Sequence, residues 1–164
     1  MHFFGKDMEK GIPDVAAASP GIKGRVNKRN WILVMDDDAM MRHVICSMLE
    51  SIGCRPYGTA SCEEAVSSYL KAKECGYVFD VVVMDLHVVD GKGGREALRE
   101  LLAMDPRARV VVTSGDIYHE AMTDHRSFGF CGALKKPFTL EQLDEAVRSA
   151  LPTRGSTGAQ CADC

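Results

Sequence analysis

The chain has 164 residues, 46% of them apolar, and a formal net charge of −3. That length and apolar share suit one globular domain with its own core, and the acidic balance lacks the basic footprint of a nucleic-acid binder. No apolar run approaches the roughly 20 residues of a membrane span, and MHFFGKDMEKG is too short in apolar residues for a signal sequence, so the sequence predicts a cytoplasmic protein without a membrane partner.

The cysteines number seven, an odd count, and most lie inside apolar or helical patterns. They read as reduced, packed thiols rather than a disulfide framework. Cys161 and Cys164 form a terminal C-x-x-C that lacks a second pair to complete a zinc site.

Residues 1–29 hold scattered Gly and Pro and no sustained period, which predicts an irregular arm or linker. Its Lys23, Arg25, Lys28 and Arg29 read as solvated linker charges. Trp31 to Met35 is a continuous apolar run, the pattern of a strand buried on both faces, and it ends in Asp36, Asp37 and Asp38. Adjacent carboxylates repel, and burying them uncompensated is costly. Two readings follow: a solvated loop with an Asp helix cap, or a hard-cation site, because Mg²⁺ takes carboxylate oxygens.

A helix is predicted over 39–52, with Met40, Met41, Val44, Ile45, Met48, Leu49 and Ile52 as its apolar core face and Gly53 as a left-handed stop. Residues 54–58 read as a short strand. Ser61 with Glu64 is a capping box opening a helix that ends near Gly76. Residues 78–85 form another apolar strand ending in a carboxylate, Asp85, and Asp90-Gly91 marks a turn. A helix over 95–104 turns Ala97, Leu98, Leu101 and Leu102 inward and stops before Pro106. A strand over 109–113 leads into Ser114-Gly115, a weakly amphipathic helix spans 117–128, and a last strand covers 131–135. Thr139 with Gln142 caps a final helix running to about Leu151, and 152–164 reads as a flexible tail.

Five strand–helix units in alternation predict an α/β, doubly wound parallel sheet with helices on both faces. Ligands bind such sheets at the carboxyl ends of the strands. Asp36, Asp37, Asp38, Asp85, Ser114 and Lys136 all fall there. Carboxylates can hold Mg²⁺, an aspartate can attack phosphorus, and a hydroxyl and a lysine can serve phosphoryl oxygens.

The motifs ILVMDDD, VVVMDLHVVDG, VVVTSGD and ALKKPF, in this order over residues 30–151, resemble the receiver domain of two-component response regulators. The style of SGD and GFCGALKKPF is similar to receivers of hybrid histidine kinases. The resemblance implies a flavodoxin-like five-stranded sheet of order 2-1-3-4-5 and a phosphoacceptor that is a signalling module rather than a metabolic enzyme. It implies Asp85 as the phosphoacceptor, Mg²⁺ held by Asp36, Asp37, Asp85 and the backbone carbonyl of His87, and Ser114 and Lys136 as phosphoryl-binding and switch residues. Ser114 is preferred to Thr113 because Gly115 follows it. Asp38 matches a variable position and reads as a helix cap, Lys135 as a surface charge, and the bond to Pro137 is expected to be cis. The implied partner is a histidine kinase or histidine phosphotransfer protein, and a homodimer is compatible with it.

The sequence departs from the family pattern twice. The loop between Asp85 and Asp90-Gly91 is short and lacks a proline, and Ala133 stands where the family carries an aromatic switch residue. The resemblance implies that His87 and Asp116 occupy positions that in such domains tune the lifetime of the phosphoryl group. For His87, an exposed loop side chain and a group that positions or blocks attacking water both stay open. Two other functions compete: a pseudo-receiver that only binds a partner, and a phosphatase of the haloacid dehalogenase type using Asp36 and Asp38. The phosphatase reading leaves Asp85 without a role and needs a later acidic pair after the lysine, and none follows Lys136 at a strand end.

Overall fold

Trp31–Met35 forms β1, and every residue after Trp31 in it is buried. It runs parallel to both of its neighbours, so it has no face or edge on which a polar side chain would be solvated. The computed structural model describes residues 30–87, 93–116 and 119–151. The 1–29 arm, the Asp90-Gly91 turn and the 152–164 tail with Cys161 and Cys164 lie outside the described residues.

β1 is followed by α1 (Ala39–Ser51), β2 (Arg55–Thr59), α2 (Cys62–Glu74), β3 (Val81–Asp85), α3 (Gly94–Met104), β4 (Val110–Ser114), α4 (Glu120–Thr123), β5 (Gly132–Lys135) and α5 (Leu140–Ala150). The strands pair in the order β2-β1-β3-β4-β5, all parallel. This is the doubly wound sheet expected from the alternation.

Side chains alternate across the sheet and build a core on each face. Leu33, Met35, Val82, Met84, Val110 and Val112 pack against α2, α3 and α4. Ile32, Val34, Val81, Val83, Val111 and Leu134 pack against α1 and α5. Each fully buried aliphatic side chain contributes about 1.5–3 kcal/mol, which explains the continuous apolar runs of β1, β3 and β4 before their polar ends.

The helix ends follow the local chemistry. Asp38 caps α1 by accepting the Met40 and Met41 N–H groups. Gly53 takes φ 86°, the left-handed conformation that stops α1. Thr139 and Gln142 form the full capping box of α5. At α2 the box is offset: Ser61 accepts the Glu64 N–H, but the Glu64 carboxylate accepts the N–H of Ala60.

Several boundaries differ from expectation. Met40 and Val44 are 73% and 37% exposed. They lie about 100° round the helix from Met41 and Ile45, beyond the stripe that meets the sheet. β3 begins at Val81, and Val78 is 61% exposed; the carboxylate of Asp80 accepts the Trp31 N–H at the edge of the sheet, before pairing begins. The helix predicted over 117–128 is one turn, Glu120–Thr123, followed by turns through Asp124 to Gly129. Asp124, His125 and Ser127 are poor helix formers, and Ser127 donates its hydroxyl to Asp124 instead. No helix among the described residues is long and apolar enough to cross a membrane.

Candidate functional site

Parallel pairing brings the ends of four strands to one edge. Met35 aligns with Met84, Asp85 with Thr113, and Ser114 with Lys135. The residues at or just after those ends are therefore neighbours, although Asp36 and Lys136 are 100 residues apart.

Asp36 is fully buried. One carboxylate oxygen accepts the Asp38 N–H at 3.0 Å and the other accepts Lys136 Nζ at 2.7 Å. Its backbone carbonyl accepts Arg42 Nη1 at 2.6 Å. Asp85 is 6% exposed. Its Oδ2 accepts Lys136 Nζ at 2.8 Å and its Oδ1 accepts the His87 N–H at 3.2 Å. A single ammonium thus serves two buried carboxylates.

The protonation energetics reflect that shortage of positive charge. Burial pushes the Asp36 carboxyl above its ordinary range, and the Lys136 hydrogen bond offsets only part of this. Burial acts against the Lys136 ammonium too, but hydrogen bonds to Asp36 and Asp85 outweigh it and hold the group above its ordinary value. The proton stays on lysine, and the Asp36 carboxylate remains under-compensated.

Asp37 adds a third carboxylate: ligand oxygens of Asp36, Asp37 and Asp85 lie within 4.8 Å of one another. An all-oxygen, carboxylate-rich set suits a hard divalent cation such as Mg²⁺. Asp38 stands apart, its carboxylate committed to α1.

Ser114 is fully buried at the end of β4. Its hydroxyl accepts the Asp116 N–H at 3.0 Å, lies 3.3 Å from the Asp116 carbonyl, and meets His87 Nδ1 at 3.1 Å. His87 is exposed, as the first of its two readings has it, and its imidazole meets Ser114 at the rim of the site. Thr113 is fully buried, and its hydroxyl has no hydrogen-bond partner among the described residues. Ala133 lies in β5 opposite Val112 and packs against the core on the α2–α3 face. Lys135 is exposed, and the Lys136–Pro137 bond is cis.

Three further residues shape the site. Arg42, one turn into α1, grips the Asp36 carbonyl. His119 caps α4 by accepting the Ala121 N–H on Nδ1, and its ring stands edge-on to His87 with centroids 5.8 Å apart. Gly94 opens α3 where a Cβ would fall 2.7 Å from the Asp85 carbonyl oxygen. The Gly93-Gly94 pair was the available sequence signal for that close approach. Arg42 and His119 carried none, because their roles depend on where other elements fold back.

A family model for the response regulator receiver domain matches residues 32–148. The two-component response regulator ORR21 of rice is 31% identical over 68% of this chain, and the chain spans 16% of that regulator's length. Protein CcdB of Bacillus subtilis is 32% identical over 71% of the chain and 92% of its own length. Among solved structures, the receiver domain of a sensor histidine kinase from Pseudomonas aeruginosa, with a magnesium ion coordinated in its active-site cleft, superposes with TM-score 0.64. It is 24% identical, covering 73% of this chain and 95% of that one.

Proposed function

Because the chain belongs to the response regulator receiver domain family, we propose that it is the phosphoacceptor module of a two-component phosphorelay. It takes a phosphoryl group from a histidine kinase or histidine phosphotransfer protein onto Asp85, in the cytoplasm, and thereby switches what it binds. The observation that carries this reading is the buried Asp85 carboxylate, held by Lys136 and the His87 N–H beside Asp36 and Asp37.

In the transfer, an oxygen of Asp85 forms a bond to phosphorus while the bond from phosphorus to the donor imidazole nitrogen breaks. That nitrogen takes a proton and the product is an aspartyl phosphate. Lys136 lies on Asp85 already and offers a fixed positive charge to the arriving phosphoryl oxygens. Ser114 supplies a hydroxyl donor from β4. Asp36, Asp37 and Asp85 would hold Mg²⁺, with the His87 carbonyl as a further oxygen ligand, and the ion would neutralise phosphoryl charge. The magnesium site of the Pseudomonas receiver supports that assignment.

The haloacid dehalogenase-type alternative requires Asp38 as a free acid or base. Its carboxylate instead accepts two N–H groups of α1. The pseudo-receiver alternative leaves the convergence of Lys136 on two buried carboxylates without a use.

Incubation with Mg²⁺ and acetyl phosphate, read by intact-mass spectrometry at neutral pH, tests the proposal. A labile phosphoryl adduct should form and vanish in Asp85→Asn. An adduct that survives Asp85→Asn and is lost in Asp36→Asn would support the phosphatase, and no adduct or metal binding would leave the pseudo-receiver.

A further inference from the structure

We propose that the His87 imidazole is a latch on the Ser114 hydroxyl, one that has to open before this hydroxyl can serve a phosphoryl group. The inference rests on the phosphoacceptor reading and adds a regulatory contact to that site. His87 is a positioning residue here: it acts through Ser114.

A serine hydroxyl offers one proton and two lone pairs. In Ser114 the Asp116 N–H occupies one lone pair at 3.0 Å. If His87 Nδ1 is unprotonated, it accepts the hydroxyl proton at 3.1 Å. If Nδ1 carries hydrogen, it donates to the second lone pair, and the hydroxyl proton turns to the Asp116 carbonyl at 3.3 Å. In both tautomers the proton is already committed. Ser114 is fully buried, while the His87 that covers its hydroxyl is exposed. The oxygens of a phosphoryl dianion are acceptors and need that proton, so a phosphoryl group on Asp85 has to displace an existing bond.

His87 is held on two further sides. Its N–H donates to Asp85 Oδ1 at 3.2 Å, fixing the backbone beside the acceptor. Its ring meets the edge of His119, with planes at 83°. His119 is in turn fixed at the head of α4, where Nδ1 accepts the Ala121 N–H at 3.2 Å. Ser114, His87, His119 and α4 therefore form one continuous set of contacts, and opening the latch loosens the contact that braces the start of α4.

The test measures beryllofluoride affinity by calorimetry at saturating Mg²⁺ in the whole chain. His87→Ala should bind about fivefold more tightly than wild type, the weight of one neutral hydrogen bond. His87→Asn, whose side-chain amide can reach Ser114 in place of Nδ1, should return towards wild type. In a Ser114→Ala background the gain from His87→Ala should disappear. Ring ¹⁵N spectra of the metal-free protein give an independent readout: Ser114→Ala should shift the His87 nitrogens and leave those of His43 and His125 in place. Unchanged affinity in His87→Ala, a gain that persists without the Ser114 hydroxyl, or an unmoved His87 spectrum overturns the latch alone. A wild-type protein that takes up neither beryllofluoride nor a phosphoryl group overturns the phosphoacceptor reading, and the latch with it.

Discussion

Replacing Lys136 with Met removes the ammonium and keeps most of the side chain's length. At an effective dielectric of about 20, a unit charge pair at the 2.7 Å of Lys136 and Asp36 attracts by about 6 kcal/mol. Carboxylate oxygens as far apart as the 4.8 Å found here repel by about 3.5 kcal/mol on the same basis. Desolvation of the ions consumes much of the gross attraction in the wild type, so the net loss is smaller than either contact suggests. Proton uptake sets a ceiling. A carboxylate of ordinary pKa near 3.8 can be neutralised at pH 7 for about 4 kcal/mol, and the variant will take that route once repulsion exceeds it. The expected loss is therefore about 3–4 kcal/mol in the absence of metal, on the order of 10 °C in Tm. Urea unfolding followed by the fluorescence of Trp31, the sole tryptophan, reads it. The loss should shrink in two ways. Asp36 already sits above its ordinary value when folded, so the native state binds the extra proton and becomes relatively more stable as pH falls towards 3.8. Millimolar Mg²⁺ should also recover part of the deficit, by binding the folded carboxylates selectively. A loss below about 1 kcal/mol, or one indifferent to both pH and Mg²⁺, would refute the claim that Lys136 is the main compensating charge of this cluster.

Two further outcomes concern groups outside the carboxylate cluster. Thr113→Val exchanges an unpaired buried hydroxyl for a methyl of similar shape, and thermal unfolding should show stability unchanged or raised by up to about 1 kcal/mol; a clear loss would mean that the hydroxyl has a partner in solution. Burial works against the Asp105 carboxylate, but the Arg107 N–H, Lys73 and Tyr69 hold it below 3.8. Its stabilisation is present above 3.8 and lost as pH falls through the lowered value, so Asp105→Asn should cost about 1–3 kcal/mol at neutral pH and converge on wild type in acid unfolding titrations.

The correspondence between sequence and structure is closest where one residue type has one physical use. β1 is apolar throughout, and β4 as far as Val112, because both faces of a central parallel strand are covered. The caps at Asp38 and Thr139 and the stop at Gly53 need only their immediate neighbours. Periodicity misled where it lacked tertiary information. It placed Met40 and Val44 in the core although they lie beside the buried stripe, and it extended α4 through residues that satisfy their own turns. It also began β3 at Val78, before the chain reaches its partner strands.

For the site, sequence order placed Asp36, Asp37, Asp85, Ser114 and Lys136 at strand ends, because alternating strands and crossover helices put all those ends on one edge. The family resemblance separated Asp38 from the other two acids, and the structure shows the local N-cap that it forms. The hydrogen-bond assignments came from the packed chain alone. That one ammonium bridges Asp36 and Asp85 depends on how closely β1, β3 and β5 approach, and no spacing in the sequence encodes that distance. That His87 turns its ring onto Ser114, with His119 behind it, depends on a loop after β3 and the start of α4 meeting over the end of β4. Local patterns specify elements and their caps; contacts between residues tens of positions apart arise only when those elements share a core.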